Sequence, residues 1–301
     1  MNGPLPATEA ADPQTAAIDE LPSVDLARLL VDGQRTAVDA AAAAAPDLAR
    51  AIDAVAAALG SGRRVFVLGA GTSGRLAVLD AAELPPTFGV DPGLVQARIA
   101  GGDAALRTAV EGAEDDAAAG AAAIADAGAG DVVIGVSASG GAPFVCAALE
   151  GARGRGALTI AIVNAAGSPL ANGAQIGIVL ATGPEPIAGS TRMKAGTAQK
   201  IALNAISTGA MIRLGKTYGN RMIDVVATNA KLRERALRLV RELCGPADAA
   251  ELLQAAGGRV KTAVAMAHLR CDRASADAAL GAAHGRLAAV IGAPRTSPPS
   301  A

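Results

Sequence analysis

Aromatic residues are nearly absent: the chain has no Trp, one Tyr and three Phe among 301 residues. Little is therefore available for stacking bases or sugar rings. Neither sign of charge is in excess, since 27 Lys and Arg stand against 28 Asp and Glu, a net −1. No overall field recruits nucleic acid or a membrane surface, and neither is an expected partner. Cysteine is scarce: Cys146, Cys244 and Cys271 are an odd set with no Cys-x-x-Cys spacing. They read as reduced core thiols in a reducing compartment. His268 and His284 lie far apart without ligand spacing, so no metal site is expected. No run reaches the roughly 18 apolar residues of a membrane span. The opening MNGPLPATEAADP has no basic stretch followed by an apolar one. No secretory signal is expected, and the expected location is the cytoplasm. What is abundant is alanine, which dominates a hydrophobic fraction of 51% and favours helices. The length suits one large or two modest domains.

Residues 1–20 read as irregular. Two helical segments follow, around 23–45 and 46–60, broken near Pro46. Strand and helix signals then alternate. The short apolar run RRVFVLG reads as a strand, and SGRLAVLDAAEL as a helix ended by Pro85 and Pro86. LVQARIAG is a second strand, followed by a helix over DAALRTAVEGAEDDAAAGAAAIADA. DVVIGVSAS is a third strand, with a helix from about Pro143. ALTIAIVNA and IGIVLATG are a fourth and a fifth. This alternation predicts a doubly wound α/β fold, a parallel sheet with helices on both faces. Long helices follow, one carrying the stripe Met222, Val225, Val226, Leu232, Ala236, Leu239 and Val240, with polar Asn229 inside it. The end, APRTSPPSA, reads as a disordered tail.

The run VFVLGAGTSG contains Gly69-x-Gly71-x-x-Gly74 directly after a strand, the spacing of a dinucleotide loop. That fingerprint also needs an acid about 20 residues on, at the end of the second strand. Asp103 lies well beyond that distance, and Glu83 falls within or just after the first helix, so the fingerprint is incomplete. Thr72 and Ser73 point to a phosphate instead, because a Gly/Ser/Thr turn opening a helix offers free N–H groups, hydroxyls and the dipole's positive end. The pattern recurs in VSASGG, with Ser137, Ser139, Gly140 and Gly141. A third cluster, GSTRMKAGT, has Ser190 and Thr191 as expected helix caps and Lys194 one turn in. Each alone is more often an ordinary N-cap. Three at strand ends favour one small phosphorylated ligand at the carboxyl edge of the sheet.

The two-loop pattern resembles the SIS (sugar isomerase) domain, which binds phosphosugars. GAGTSGRLAVLDAAELPPTFG, AGGDAALRTAVEGAEDD, GSTRMKAGTAQKIALNAISTGAMIRLGKTYGN and ATNAKL closely resemble the N-acetylmuramic acid 6-phosphate etherase family. TEAADPQTAAIDELPS resembles that family's opening. The resemblance runs from about Thr8 to the final helices. It implies an N-terminal extended and helical segment over 1–50, an SIS phosphosugar-binding domain over 51–242, a small helical module over 243–292 and a tail over 293–301. It also implies a lyase that cleaves the D-lactyl ether of N-acetylmuramic acid 6-phosphate, giving N-acetylglucosamine 6-phosphate and D-lactate. The alternatives are a non-catalytic phosphosugar-binding regulator of the same fold and an aldose–ketose phosphate isomerase. Gly141, Ala142, Pro143 and Phe144 stand where the family has Arg-Thr-Pro-Tyr. Asn164-Ala165-Ala166 replaces a Cys-Asn-Pro stretch, and Ala188 a Thr.

Removing the C2 proton of a ring-opened sugar and protonating the C3 oxygen needs two proton-transfer groups. It needs no redox cofactor and no metal. The resemblance places these groups on Glu83, as the acid at the lactate oxygen, and Glu114, as the base at C2. Glu83 lies in apolar LDAAELPPTFG, where burial is expected to raise its pKa. Glu114 lies in EGAEDD, where Glu111, Asp115 and Asp116 disfavour further charge. By residue pattern alone both are more often solvated or capping carboxylates. Lys216, Asn220 and Asn229 read either as site-lining or as partners of buried backbone. The basic run KLRERALRLVRE reads as a charged helix face. TRMKAGTAQKIALNAISTGAMIRLG is too apolar around its circumference for a surface helix, so a homodimer burying part of it is expected. The resemblance implies a dimer as well.

Overall fold

β-Branched runs between glycine-rich turns form five parallel strands in the computed structural model, which describes residues 7–224, 230–245 and 248–294. Three single 3₁₀ turns, within 7–20, precede α1 (Ser23–Asp32), α2 (Arg35–Ala43) and α3 (Ala45–Gly60). Pro46 sits in the first turn of α3, where its missing N–H leaves no bond unmade. Then come β1 (Val65–Gly69), α4 (Gly71–Phe88), β2 (Val95–Ile99), α5 (Ala117–Ala123), β3 (Val132–Ser137), α6 (Pro143–Gly154), β4 (Leu158–Val163), α7 (Pro169–Gly173), β5 (Ile176–Val179) and α8 (Lys194–Arg213). The strand order is β2-β1-β3-β4-β5. Phe66, Leu68, Val133, Ala161 and Val163 point to one face, where they pack with Phe144, Val145 and Leu149 of α6. The alternate residues Val65, Val67, Ile134, Ile160 and Ile178 are equally buried, so both faces are covered. The fold is the expected doubly wound α/β sheet.

The remainder forms the hairpin of β6 (Thr217–Tyr218) and β7 (Arg221–Met222), then α9 (Ala230–Cys244), α10 (Ala249–Ala255), α11 (Val260–Leu269), α12 (Arg273–Ala282) and α13 (Leu287–Ile291). By contacts the chain divides into two units, Met1–Ala82 with Pro92–Thr208, and Glu83–Asp91 with Gly209–Ala301. The second unit has its own core, including Ile223, Leu239, Val240, Val264, Leu280 and Leu287. Lys216 and Lys261 share Asp224 there, at 3.2 and 2.7 Å. Burial lowers the Lys261 pKa, and the paired Asp224 opposes that shift. Arg233, Glu234, Arg238 and Arg241 form the exposed face of α9, opposite buried Ala236 and Val240.

Several sequence expectations are corrected. Helix α4 runs through Pro85 and Pro86 to Phe88. Both prolines fall in its last turns, where two missing N–H groups cost only local bonds and φ near −65° is already helical. The segment after β2 is not one helix. It forms 3₁₀ turns at Gly102–Leu106 and Ala113–Asp115 and then the short α5. Gly112 is left-handed at φ 73°, and Asp116 restarts the helix by accepting from Ala119 N at 2.8 Å. Met222 belongs to a strand, and the helix of that stripe begins at Ala230. Val225, Val226 and Asn229 lie outside the described residues, as does most of the expected tail. Helix α8 buries most of its circumference within the chain. Of its residues Lys200, Thr208, Ile212 and Arg213 are exposed. The cysteines are unpaired and half-buried rather than fully buried. Burial holds the thiols of Cys146 and Cys244 above the usual range.

Candidate functional site: serine loops at the sheet edge

Strands β1 and β3 are neighbours, with Gly69 level with Val136. From β1 the chain turns outward to β2 on one side, while β3, β4 and β5 extend on the other. The order reverses between β1 and β3, so the loops leaving these strands open a crevice at the carboxyl edge. The first loop leads into α4. A Cβ on Gly74 would stand 2.5 Å from Gly69 O, so glycine is required for this close approach. Gly71 is left-handed at φ 51°. These glycines build the turn itself, which explains the dinucleotide-like spacing without its acid.

Ser73 is buried, and its hydroxyl donates to Gln199 Oε1 at 2.8 Å. Gln199 Nε2 donates to Asn164 Oδ1 at 2.9 Å, and Asn164 Nδ2 to Leu180 O at 3.0 Å. A buried polar chain thus joins α4, α8 and the ends of β4 and β5. A second tie between α4 and α8 is Asp80, which accepts from Asn204 Nδ2 at 2.5 Å and Ser207 Oγ at 2.9 Å. With its hydroxyl hydrogen committed, Ser73 has its backbone N–H to offer an anion at the start of α4. Thr72 stands beside α8: a Cβ on Gly196 would lie 3.4 Å from its methyl group.

The loop after β3 folds around two serine oxygens. Gly140 N donates to Ser137 Oγ at 3.1 Å, and Gly141 N to Ser139 Oγ at 3.2 Å. The two oxygens are 3.5 Å apart, a long contact that a better acceptor displaces. Both hydroxyls accept from backbone here, which leaves their hydrogens to donate elsewhere. Gly140 has φ 67°, and a Cβ there would stand 2.2 Å from Ser168 Oγ. Phe144 is 3% exposed in the core beneath α6. Its ring is therefore out of solvent.

The third cluster is arranged differently from the sequence expectation. Neither Ser190 nor Thr191 caps α8. That helix begins at Lys194, and the fully buried carboxylate of Glu185 accepts from Lys194 N and Ala195 N, each at 2.9 Å. The Lys194 ammonium donates to Pro184 O at 2.9 Å and stands 3.9 Å from Asp12 Oδ2. Ser190 and Thr191 lie in the loop before α8, half-buried. Glu185, Gln199, Asn164 and Asp12 were missed as site-builders. Their signal was present: each is a lone polar side chain in a small or apolar setting, but its partner is distant in sequence.

Both glutamates are exposed, in different settings. Glu83 lies on the outer side of α4 with Ala82 and Pro86, while Leu84 and Phe88 turn inward. Its expected burial is not found, because the helix continues through the prolines. Glu114 sits in the 3₁₀ turn Ala113–Asp115, whose Ala113 packs on the core. Partial loss of solvent, then the charge of Asp115, hold its carboxyl above the usual range. A carboxylate so tuned is a stronger base than an ordinary one.

Among known proteins, the SIS domain family matches residues 107–208, and the glucokinase regulatory protein N-terminal SIS domain matches 47–153. A phosphoheptose isomerase from Francisella tularensis shares the fold, with a TM-score of 0.51 and 22% identity over 63% of this chain and 98% of that one. The N-acetylmuramic acid 6-phosphate etherase of Gloeobacter violaceus is 51% identical over 284 residues, covering 93% of each protein. That of Streptomyces avermitilis is 49% identical over 293 residues, covering 96% of this chain and 94% of that protein. Identity near one half, held over nearly the full length of both partners, marks a single family: the chain belongs to the N-acetylmuramic acid 6-phosphate etherases.

Proposed function

We propose that the chain cleaves the D-lactyl ether of N-acetylmuramic acid 6-phosphate, giving N-acetylglucosamine 6-phosphate and D-lactate. The observation that carries this reading is the pair of Ser/Thr-bearing loops leaving adjacent strands at the point where the sheet order reverses. Thr72, Ser73, Ser137, Ser139, Gly140, Ser190 and Thr191 surround the 6-phosphate. The hydroxyl hydrogens of Ser137 and Ser139 and the N–H of Ser73 are the donors. Lys194 serves the same site from behind, through the loop it anchors.

An ether oxygen leaves poorly unless it is protonated and the bond-breaking electrons have a ready source. Ring opening frees C1 as an aldehyde, which acidifies the C2 proton. Glu114 takes that proton, and the electron pair passes into the C1 carbonyl as an enolate. The enolate expels the C3 oxygen, which Glu83 protonates, and D-lactate leaves with a C2–C3 double bond behind it. Water then adds at C3, C2 regains a proton, and the ring closes. Both glutamate roles follow from the family resemblance. The raised pKa of Glu114 supports its role as base. Cell-wall sugar recycling in the cytoplasm is the setting these products fit, and the working form is a homodimer, testable by light scattering.

The test is direct. Purified protein incubated with N-acetylmuramic acid 6-phosphate releases D-lactate and N-acetylglucosamine 6-phosphate in equal amounts. Binding of the phosphosugar without lactate release would leave only a binding protein. A ketose product would mean an isomerase.

A further inference from the structure

We propose that residues 8–34 form a strap that sets the Ser190–Arg192 loop, with Asp12 and Gln34 as its positioning residues. The proposal rests on the reading of that loop as part of the phosphosugar site. The loop has little structure of its own. Its backbone ties are two tight turns, Ser190 N to Ile187 O at 2.9 Å and Thr191 N to Gly189 O at 3.1 Å, and one bond to α8, Gly196 N to Thr191 O at 3.0 Å. Further ties come from the far end of the chain. Gly189 N donates to the carbonyl of fully buried Thr8 at 3.2 Å. Asp12 faces the Lys194 ammonium with both side chains largely out of solvent, 16% and 10% exposed. Thr197 Oγ1 donates to Gln34 Oε1 at 2.8 Å. The Lys194 stem also passes Gly33 closely, since a Cβ there would lie 3.3 Å from its Cε.

Two further facts make these ties decisive. A cavity of about 620 Å³, lined by Leu26, Leu30 and Gln34 of the strap and Ser190, Arg192 and Met193 of the loop, lies between the two. The loop is therefore held by a few polar contacts and not by dense packing. Second, Glu185 already fills the amides at the start of α8. An anion cannot take those amides, so the loop's own groups must be correctly aimed. Lys194, expected from sequence as a phosphate ligand, thereby becomes the loop's strut, with Asp12 as its counter-charge.

Asp12→Asn separates this role from local folding. Asp12 also caps the turn at Pro13–Thr15 by accepting from Gln14 N, and Asn caps equally well. Gln34→Met removes the acceptor for Thr197 at similar volume. In both variants KM for N-acetylmuramic acid 6-phosphate and Kd for N-acetylglucosamine 6-phosphate rise about tenfold, while kcat stays within about twofold. Amide hydrogen exchange across 186–193 speeds by about tenfold without any ligand present. Gln34→Glu, which keeps the acceptor, restores KM. A lowered Tm with unchanged KM, Kd and exchange overturns the strap, as does a fall in kcat at unchanged KM. The two readings fail separately. A wild-type protein that releases no lactate, with faster loop exchange in the variants, sinks the activity and leaves the strap. An active wild type with variants indistinguishable from it does the reverse.

Discussion

The loop after β3 and the loop before α8 both carry serine and threonine hydroxyls, yet they are held in different ways. The side-chain bonds of the first are local, since Ser137 and Ser139 accept from Gly140 N and Gly141 N two or three residues on, while Ala138 O and Gly140 O accept from Asn164 N and Leu170 N after β4. The second borrows its shape, from Glu185 across a turn and from Thr8, Asp12 and Gln34 near the other end of the chain. A loop whose side-chain bonds are local depends less on distant side chains. A borrowed loop fails when any lender is lost. Damage to the first should therefore appear as lost affinity, and damage to the second as lost stability or lost alignment.

The largest effects test the chemistry that neither loop performs. Glu114→Gln should lower D-lactate release by about 10²–10⁴-fold and also abolish exchange of the C2 proton of N-acetylglucosamine 6-phosphate in deuterated water. Glu83→Gln should lose lactate release to a similar extent but keep that exchange, because the base at C2 remains. The opposite pattern, read by proton NMR, would reverse the two roles.

Next comes Glu185→Gln, which leaves one acceptor where the start of α8 uses two. It should destabilise the protein by about 1–3 kcal/mol in denaturant unfolding, because a buried N–H loses its partner. Ser139→Ala in the loop after β3 should leave unfolding nearly unchanged. It should instead weaken phosphosugar binding by about 1–3 kcal/mol, the value of a hydrogen bond to a charged group, measured by calorimetry. If Ser139→Ala costs more stability than Glu185→Gln, the contrast between the loops is wrong.

The smallest effect is in pH dependence. Desolvation and the neighbouring Asp115 charge both favour protonated Glu114, so its folded pKa lies above the ordinary value. A base must be ionised to act, so the acid limb of kcat/KM should lie above the usual carboxylate range. Asp115→Asn removes one of the two causes. The pKa then falls, and the limb should move to lower pH. An upward movement would mean that Asp115 acts through structure and not through charge.

Much of the molecule could be read along the chain. The five strands were legible because each is a short apolar run with its own bounding glycines. The loops at 71–74 and 137–141 were legible because their Gly/Ser/Thr pattern is contiguous. The helix expected over 103–127 was not found, because left-handed Gly112 and the capping Asp116 interrupt an alanine-rich stretch whose composition favours a helix. Glu83 was expected in a buried setting because its neighbours are apolar. Periodicity decides the matter instead, and α4 turns Leu84 inward and Glu83 outward.

The sequence by itself determined the α/β sheet, the glycine turn of the first loop, the serine-rich pattern after β3 and, through nearly full-length similarity, the family. These rest on interactions between residues a few positions apart, or on patterns that span the chain unchanged. Only the tertiary structure decided that Ser73 gives its hydroxyl hydrogen to Gln199, that Glu185 caps α8 in place of Ser190 and Thr191, and that Lys194 turns to Asp12 and Pro184. In each case a buried polar group takes the best-placed partner in space, because leaving it unpaired costs more than any local preference gains. Which partner that is depends on how the strands and helices pack, and no spacing along the chain records it.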